Sequence, residues 1–184
     1  MKRLFSLPKY VTLFLVLLLL LVFIPHPATC ARQDEYQVKA AFVLNFAKLT
    51  EWPNESQVEK DSFTIAILGK TPSDSFVNTL KSQTVHGNKV IVRHIDGTEE
   101  AKNARLVYIS ASERHHLSGI LRELRQLNVL TVSDINGFCE FGGMIGLVPV
   151  QNRVGFEVNL AAVRKAHLSI SSQLLKLAKT VLGN

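Results

Sequence analysis

Cysteine is scarce in this chain: of 184 residues only Cys30 and Cys139 are cysteines. If Cys30 is lost with a targeting segment, no internal disulfide can form, and the fold rests on its core rather than on covalent staples. There is one tryptophan and there are two methionines. No block of Lys or Arg and no repeating basic stripe occurs, so the electrostatic signature of nucleic-acid binding is missing. Gly69-Lys70-Thr71 has the ending of a phosphate loop, but Thr64 stands where the first glycine of that motif is required. No Gly-x-Ser-x-Gly elbow is found, since Gly119 follows Ser118 directly, and Cys139 has no histidine in its local sequence. These absences weigh against an enzyme, and no cofactor is expected.

What is present begins with a targeting signature. Lys2, Arg3 and Lys9 precede an apolar run over residues 10–24 that only Thr12 interrupts, and Pro25 to Ala31 then supplies a small-residue region. That run covers roughly 22 Å as a helix, short of the ~30 Å hydrocarbon core of a bilayer. Residues 1–31 therefore read as a cleaved signal peptide, with cleavage after Ala31. An uncleaved anchor and a lipidated Cys30 are the alternatives. Loss of the three basic residues reduces the formal charge of +6 to +3, so part of the pI near 9.5 belongs to targeting.

Residues 32–184 read as a single α/β domain. A helix is expected from a cap at Asp34, with Gln37 three positions on, to about Trp52, where Pro53 ends it. Its apolar positions, Val38, Ala41, Phe42, Asn45, Phe46 and Leu49 with Ala40, Val43 and Leu44 beside them, predict burial on more than one side. Strands are expected at 63–68, 90–95 and 105–110, and Ser73 should cap a short helix between the first two. Ser110-Ala111-Ser112-Glu113 reads as a capping box for a helix bearing Leu117, Ile120, Leu121, Leu124 and Leu127. Alternation of strand and helix with short connections predicts a mostly parallel sheet with flanking helices. Strands at 144–150 and 153–159, joined by Gln151-Asn152, should form a C-terminal antiparallel hairpin, followed by a helix capped by Asn159. The pattern breaks near His167 and restarts as a last amphipathic helix through Ile170, Leu174, Leu177 and Val181.

The most distinctive stretch runs from Val129 to Asn159. Its loop from Gly137 to Gly143 carries Phe138, Cys139, Glu140 and Phe141, with Asp134 and Asn136 just before it. Loops held at strand ends are where binding groups sit. Asp134, Asn136, Glu140, Arg153 and Glu157 are candidates for a polar cluster that holds a partner or a small ligand, and Phe138 and Phe141 are candidate apolar anchors. The structural alternative has Asp134 and Asn136 serving a turn, Phe138 in the core, Arg153 paired with Glu157, and Cys139 as a small buried residue. His115-His116 is a weak metal candidate, because neighbours in a helix point about 100° apart.

The chain resembles the YfiR family of periplasmic proteins. The residues that carry the resemblance are Tyr36-Gln37-Val38-Lys39-Ala40-Ala41-Phe42 with Asn45-Phe46-Ala47-Lys48 and Glu51-Trp52-Pro53, then Ile109-Ser110-Ala111-Ser112-Glu113, Leu130-Thr131-Val132-Ser133-Asp134 and Gly142-Gly143-Met144-Ile145. Phe156-Glu157-Val158-Asn159-Leu160-Ala161-Ala162 and Ile170-Ser171-Ser172-Gln173-Leu174-Leu175 complete it. The resemblance implies an exported, non-catalytic α/β domain whose partner is the periplasmic sensor domain of a membrane-bound diguanylate cyclase, which it holds inactive. An outer-membrane lipoprotein that relieves the inhibition is a second implied partner, and a homodimer stays open. Redox control through cysteine pairs, a property of some members, does not carry over to a mature chain with Cys139 alone. His167 stands where a glycine is common in the family.

Overall fold

The computed structural model describes residues 29–53, 62–151 and 153–183. Its contacts divide the chain into Met1–Ala31 and Arg32–Asn184. Of the first unit only residues 29–31 are described, as helix, so the expected signal peptide lies almost wholly outside the described residues.

The second unit is an α/β domain around an eight-stranded sheet. In chain order the elements are α1 (Thr29–Lys48), β1 (Thr50–Glu51), β2 (Ser62–Leu68), α2 (Asp74–Lys81), β3 (Thr84–Val85), β4 (Asn88–Ile95), β5 (Leu106–Ile109), α3 (Leu117–Leu124), β6 (Leu130–Ser133), β7 (Ile145–Val150), β8 (Arg153–Asn159), α4 (Leu160–Lys165), β9 (Ser169–Ile170), α5 (Ser172–Leu177) and β10 (Thr180–Leu182), with 3-10 turns at Thr98–Asn103 and Ala111–Glu113. The sheet order is β10-β8-β7-β6-β5-β2-β4-β3. Strands β4, β2, β5, β6 and β7 are mutually parallel, as the short strand-to-helix connections predict. The β7–β8 pair is the expected antiparallel hairpin. Pro149 is tolerated in β7 because β6 pairs only as far as Gly146, leaving no ladder bond for Pro149 to break on that side.

Side-chain alternation along the strands makes two cores. Phe63, Ile65 and Ile67 of β2, with Leu106, Tyr108, Leu130 and Val132, pack on the α1 side; Ala66 and Leu68, with Val107 and Ile109, pack on the α3 side. On the first side Phe46 and Phe156 lie 4.9 Å apart between ring centroids, with Phe42 at 5.9 and 5.8 Å from them. Trp52 is buried there, edge-on to Phe63 at 5.5 Å.

Several expectations need correction. Helix α1 already runs from Thr29, so Asp34 lies inside it and is not its cap, and it stops at Lys48 because Thr50–Glu51 leave to pair with Ser169–Ile170. Its buried face centres on Ala40, Val43, Leu44 and Ala47, while Val38, Ala41 and Asn45 are exposed. Ser110 makes no cap hydrogen bond; a 3-10 turn follows it, and Ser112 Oγ instead accepts from the Lys70 backbone N–H at 3.0 Å. The final amphipathic helix is only Ser172–Leu177, after which Thr180–Leu182 join the sheet edge parallel to β8 and Leu177 is left 67% exposed. A period-2 segment of three residues is too short to separate from the preceding helical pattern. Ser73 and Asn159 do cap their helices, accepting from Phe76 N at 3.1 Å and Ala162 N at 3.0 Å.

Candidate functional site

The loop between β6 and β7 is a tightly bonded turn rather than an open flap. Ser133 Oγ donates to Ile109 O at 2.7 Å and accepts from Ile135 N at 3.0 Å, which ties the end of β6 to β5. Phe138 N bonds Ile135 O, Phe141 N bonds Gly137 O, Gly142 N bonds Cys139 O and Gly143 N bonds Phe138 O, all at 2.9 to 3.1 Å. Asn159 Nδ2 donates to Cys139 O at 2.9 Å, so the residue that caps α4 also anchors the loop. Glycine is required at 142 by φ of +100°. It is required at 143 because a Cβ there would fall 2.2 Å from the Phe138 ring.

This geometry sorts the sequence candidates. Phe138 is 1% exposed and fills the core under α3, whereas Phe141 is 55% exposed at the loop surface. Asn136 and Glu140 are exposed on the same loop. Cys139 is buried, its thiol donating toward Glu157 O at 3.4 Å and Met144 O at 3.6 Å. Burial pushes that thiol up to about 12, so at neutral pH it is protonated and a poor nucleophile. Glu157 pairs with Lys179 at 3.7 Å rather than with Arg153, which is exposed.

Asp134 and Arg153 do converge, at a groove between α1 and the β7–β8 hairpin. It has a volume of about 390 Å³ and is walled by Leu147, Val148, Pro149 and Val154. Along it Lys39 Nζ bridges Glu35 and Asp134, each at 2.8 Å, and lies 4.9 Å above the Tyr36 ring. Burial acts to lower the Lys39 pKa, but hydrogen bonds and charge from Asp134 and Glu35 outweigh it and leave the group above its ordinary value. Beneath lies Tyr108, whose buried hydroxyl makes no well-formed hydrogen bond among the described residues. Burial, then the neighbouring Asp134 carboxylate, raise its pKa. Sequence reasoning passed over Lys39, Glu35 and Tyr108. The i,i+4 spacing of Glu35 and Lys39 was a legible signal; nothing local marked Tyr108, which meets Asp134 only through strand adjacency.

Among the described residues no three His, Cys, Asp or Glu side chains gather as a metal site. His116 lies 3.6 Å from Glu113 and is exposed. No described helix is long and apolar enough to cross a membrane.

The YfiR/HmsC-like family profile matches residues 36–179, from the tyrosine of α1 to the lysine before β10. The chain belongs to the YfiR/HmsC-like family. Members of the YfiR/HmsC-like family are periplasmic regulators of cyclic di-GMP signalling, regulatory rather than catalytic, which act with the sensor domains of membrane-bound cyclases. No curated protein matches the chain. Among solved structures, a conserved domain protein from Vibrio cholerae superposes with a TM-score of 0.53 at 9% identity, covering 79% of this chain and 60% of that one. An ABC domain from Streptococcus pneumonia in complex with L-tryptophan superposes with a TM-score of 0.53 at 11% identity, covering 80% and 60%. The chain thus spans about 60% of the length of either, and at such identity the likeness is one of fold.

Proposed function

We propose that this YfiR/HmsC-like protein represses an inner-membrane diguanylate cyclase by docking on its periplasmic sensor domain, and so controls cyclic di-GMP and biofilm formation. The observation that carries the docking site is Phe141: a large apolar side chain 55% exposed on a loop fixed by at least four backbone hydrogen bonds. A rigid, exposed aromatic loses little entropy on binding and is a favoured anchor of protein interfaces. Asn136 and Glu140 flank it as polar rim, Asp134 and Arg153 line the groove beside the hairpin, and Glu157 lies within β8. An outer-membrane lipoprotein that competes for the protein would relieve repression. Deletion of the gene should raise cellular cyclic di-GMP; a level unchanged under several envelope stresses would sink the proposal.

A small-ligand sensor is the second reading, favoured by the 390 Å³ groove, which lies within the ~300–1,000 Å³ range of ligand pockets. A metabolite bound there would raise the melting temperature with its concentration. Arg153→Ala, at the groove's exposed cation, should abolish that rise.

A further inference from the structure

On the far side of the β6–β7 loop from this groove lies a second, smaller cleft, between the end of α3 and α4. Its volume is about 100 Å³, and Leu121, Leu124, Met144, Ala161 and Ala162 give it an apolar lining. Two cations stand at it, Arg125 just past the end of α3 and Lys165 in the last turn of α4. Among the described residues no acidic side chain lines the cleft and neither cation has an ion-pair partner. The arrangement differs from the Lys39–Asp134 groove, where the charges neutralise one another.

The cleft also holds a buried hydroxyl with a hydrogen left to donate. Thr131 is 3% exposed, and its hydroxyl oxygen already accepts from Met144 N at 3.1 Å, so its own hydrogen is left to donate and has no acceptor among the described residues. Asn159 is engaged at both ends of its amide, its side-chain oxygen accepting from Ala162 N and its nitrogen donating to Cys139 O. A site with two uncompensated cations, one buried hydroxyl donor and apolar walls favours an anion that carries a short hydrocarbon group. A bare anion would leave the walls wet, and a cation would be repelled.

We propose that this cleft binds a small apolar-tailed monocarboxylate, its carboxylate between Arg125 and Lys165 and its tail against Leu121, Leu124 and Met144. Cavity size limits the tail: 100 Å³ is less than the ~150 Å³ that accommodates benzene, which points to a group about as large as a branched aliphatic side chain. Arg125 also reaches the docking loop, its guanidinium lying 3.8 Å from where a Cβ on Gly142 would sit. The site itself requires no cyclase and stands apart from the proposed repression.

Isovalerate titrated into the purified protein, followed by amide NMR, tests this. Saturable shifts centred on Gly142, Ala161 and Ala162 are expected, with Kd in the millimolar range or tighter. Acetate, without the tail, and 3-methylbutanol, without the charge, should each bind at least tenfold more weakly, and the Arg125→Gln/Lys165→Gln variant should lose isovalerate binding while keeping the wild-type spectrum elsewhere. Equal binding of acetate and isovalerate, unaltered binding by the double variant, or no saturable shift at tens of millimolar isovalerate would overturn the proposal.

Discussion

Three residues carry strain or desolvation that a single substitution can expose. His167 adopts φ of +56° in the turn after α4, at the position where the sequence pattern breaks. A left-handed conformation costs a residue with a Cβ roughly 1–2 kcal/mol, and glycine gives back about half of that through its floppier unfolded state. His167→Gly should therefore stabilise the protein by about 0.5–1 kcal/mol, seen as a rise of about 2 °C in melting temperature. Tyr108 buries a hydroxyl that makes no well-formed hydrogen bond among the described residues, with the Asp134 carboxylate close by. Removing an unsatisfied polar group while keeping the ring is neutral or favourable, so Tyr108→Phe should leave the urea midpoint unchanged or raise it by up to about 1 kcal/mol of stability. Cys139 combines burial with a thiol pKa pushed up to about 12. Its reaction with a disulfide reagent at pH 8 should run at the rate of unfolding, and fast labelling of the folded protein would place the thiol at the surface.

Among elements, α1 links the core to the groove. Lys39 and Asp134 are each under one-fifth exposed, so their bond is screened less than a surface pair. Lys39→Met leaves Asp134 without its cation and should cost about 2 kcal/mol in chemical denaturation, the scale of a hydrogen bond to a charged group. Because the Lys39 pKa is raised on folding, the stability it contributes is fully present below its unfolded value of about 10.4 and is lost as pH rises through the higher folded value. The wild-type and Lys39→Met denaturation curves should therefore converge only above about pH 10.4. The elements with long, clean signals were legible in the sequence: continuous apolar runs marked β2 and β5, and the Leu117, Leu121, Leu124 spacing marked α3. Short strands were not. β1, β3, β9 and β10 have two or three residues each and exist through their sheet partners, so no local period announces them. The same division holds at the site. Glycines and aromatics marked the loop from Gly137 to Gly143, yet whether Phe138 or Phe141 faced solvent depended on the turn bonds that bury one and expose the other.

At the scale of the whole molecule, the parallel sheet acts as a frame that presents one rigid loop. β5 and β6 end side by side, Ser133 clamps them together, and Asn159 ties the loop to α4, so Phe141 is held at the surface before any partner arrives. Such pre-organisation suits the proposed repression, because a partner then binds with little conformational cost. Phe141→Asp changes an exposed side chain and should alter stability by no more than about 0.5 kcal/mol. The most direct measurement is cyclic di-GMP in cells lacking the gene, complemented in turn with the wild-type chain and with Phe141→Asp at equal protein levels. Repression through this loop predicts a raised level in the deletion strain, restored by the wild-type chain and left high by Phe141→Asp. Full restoration by Phe141→Asp would contradict the loop as the docking site, and a deletion with no effect would contradict the repression itself.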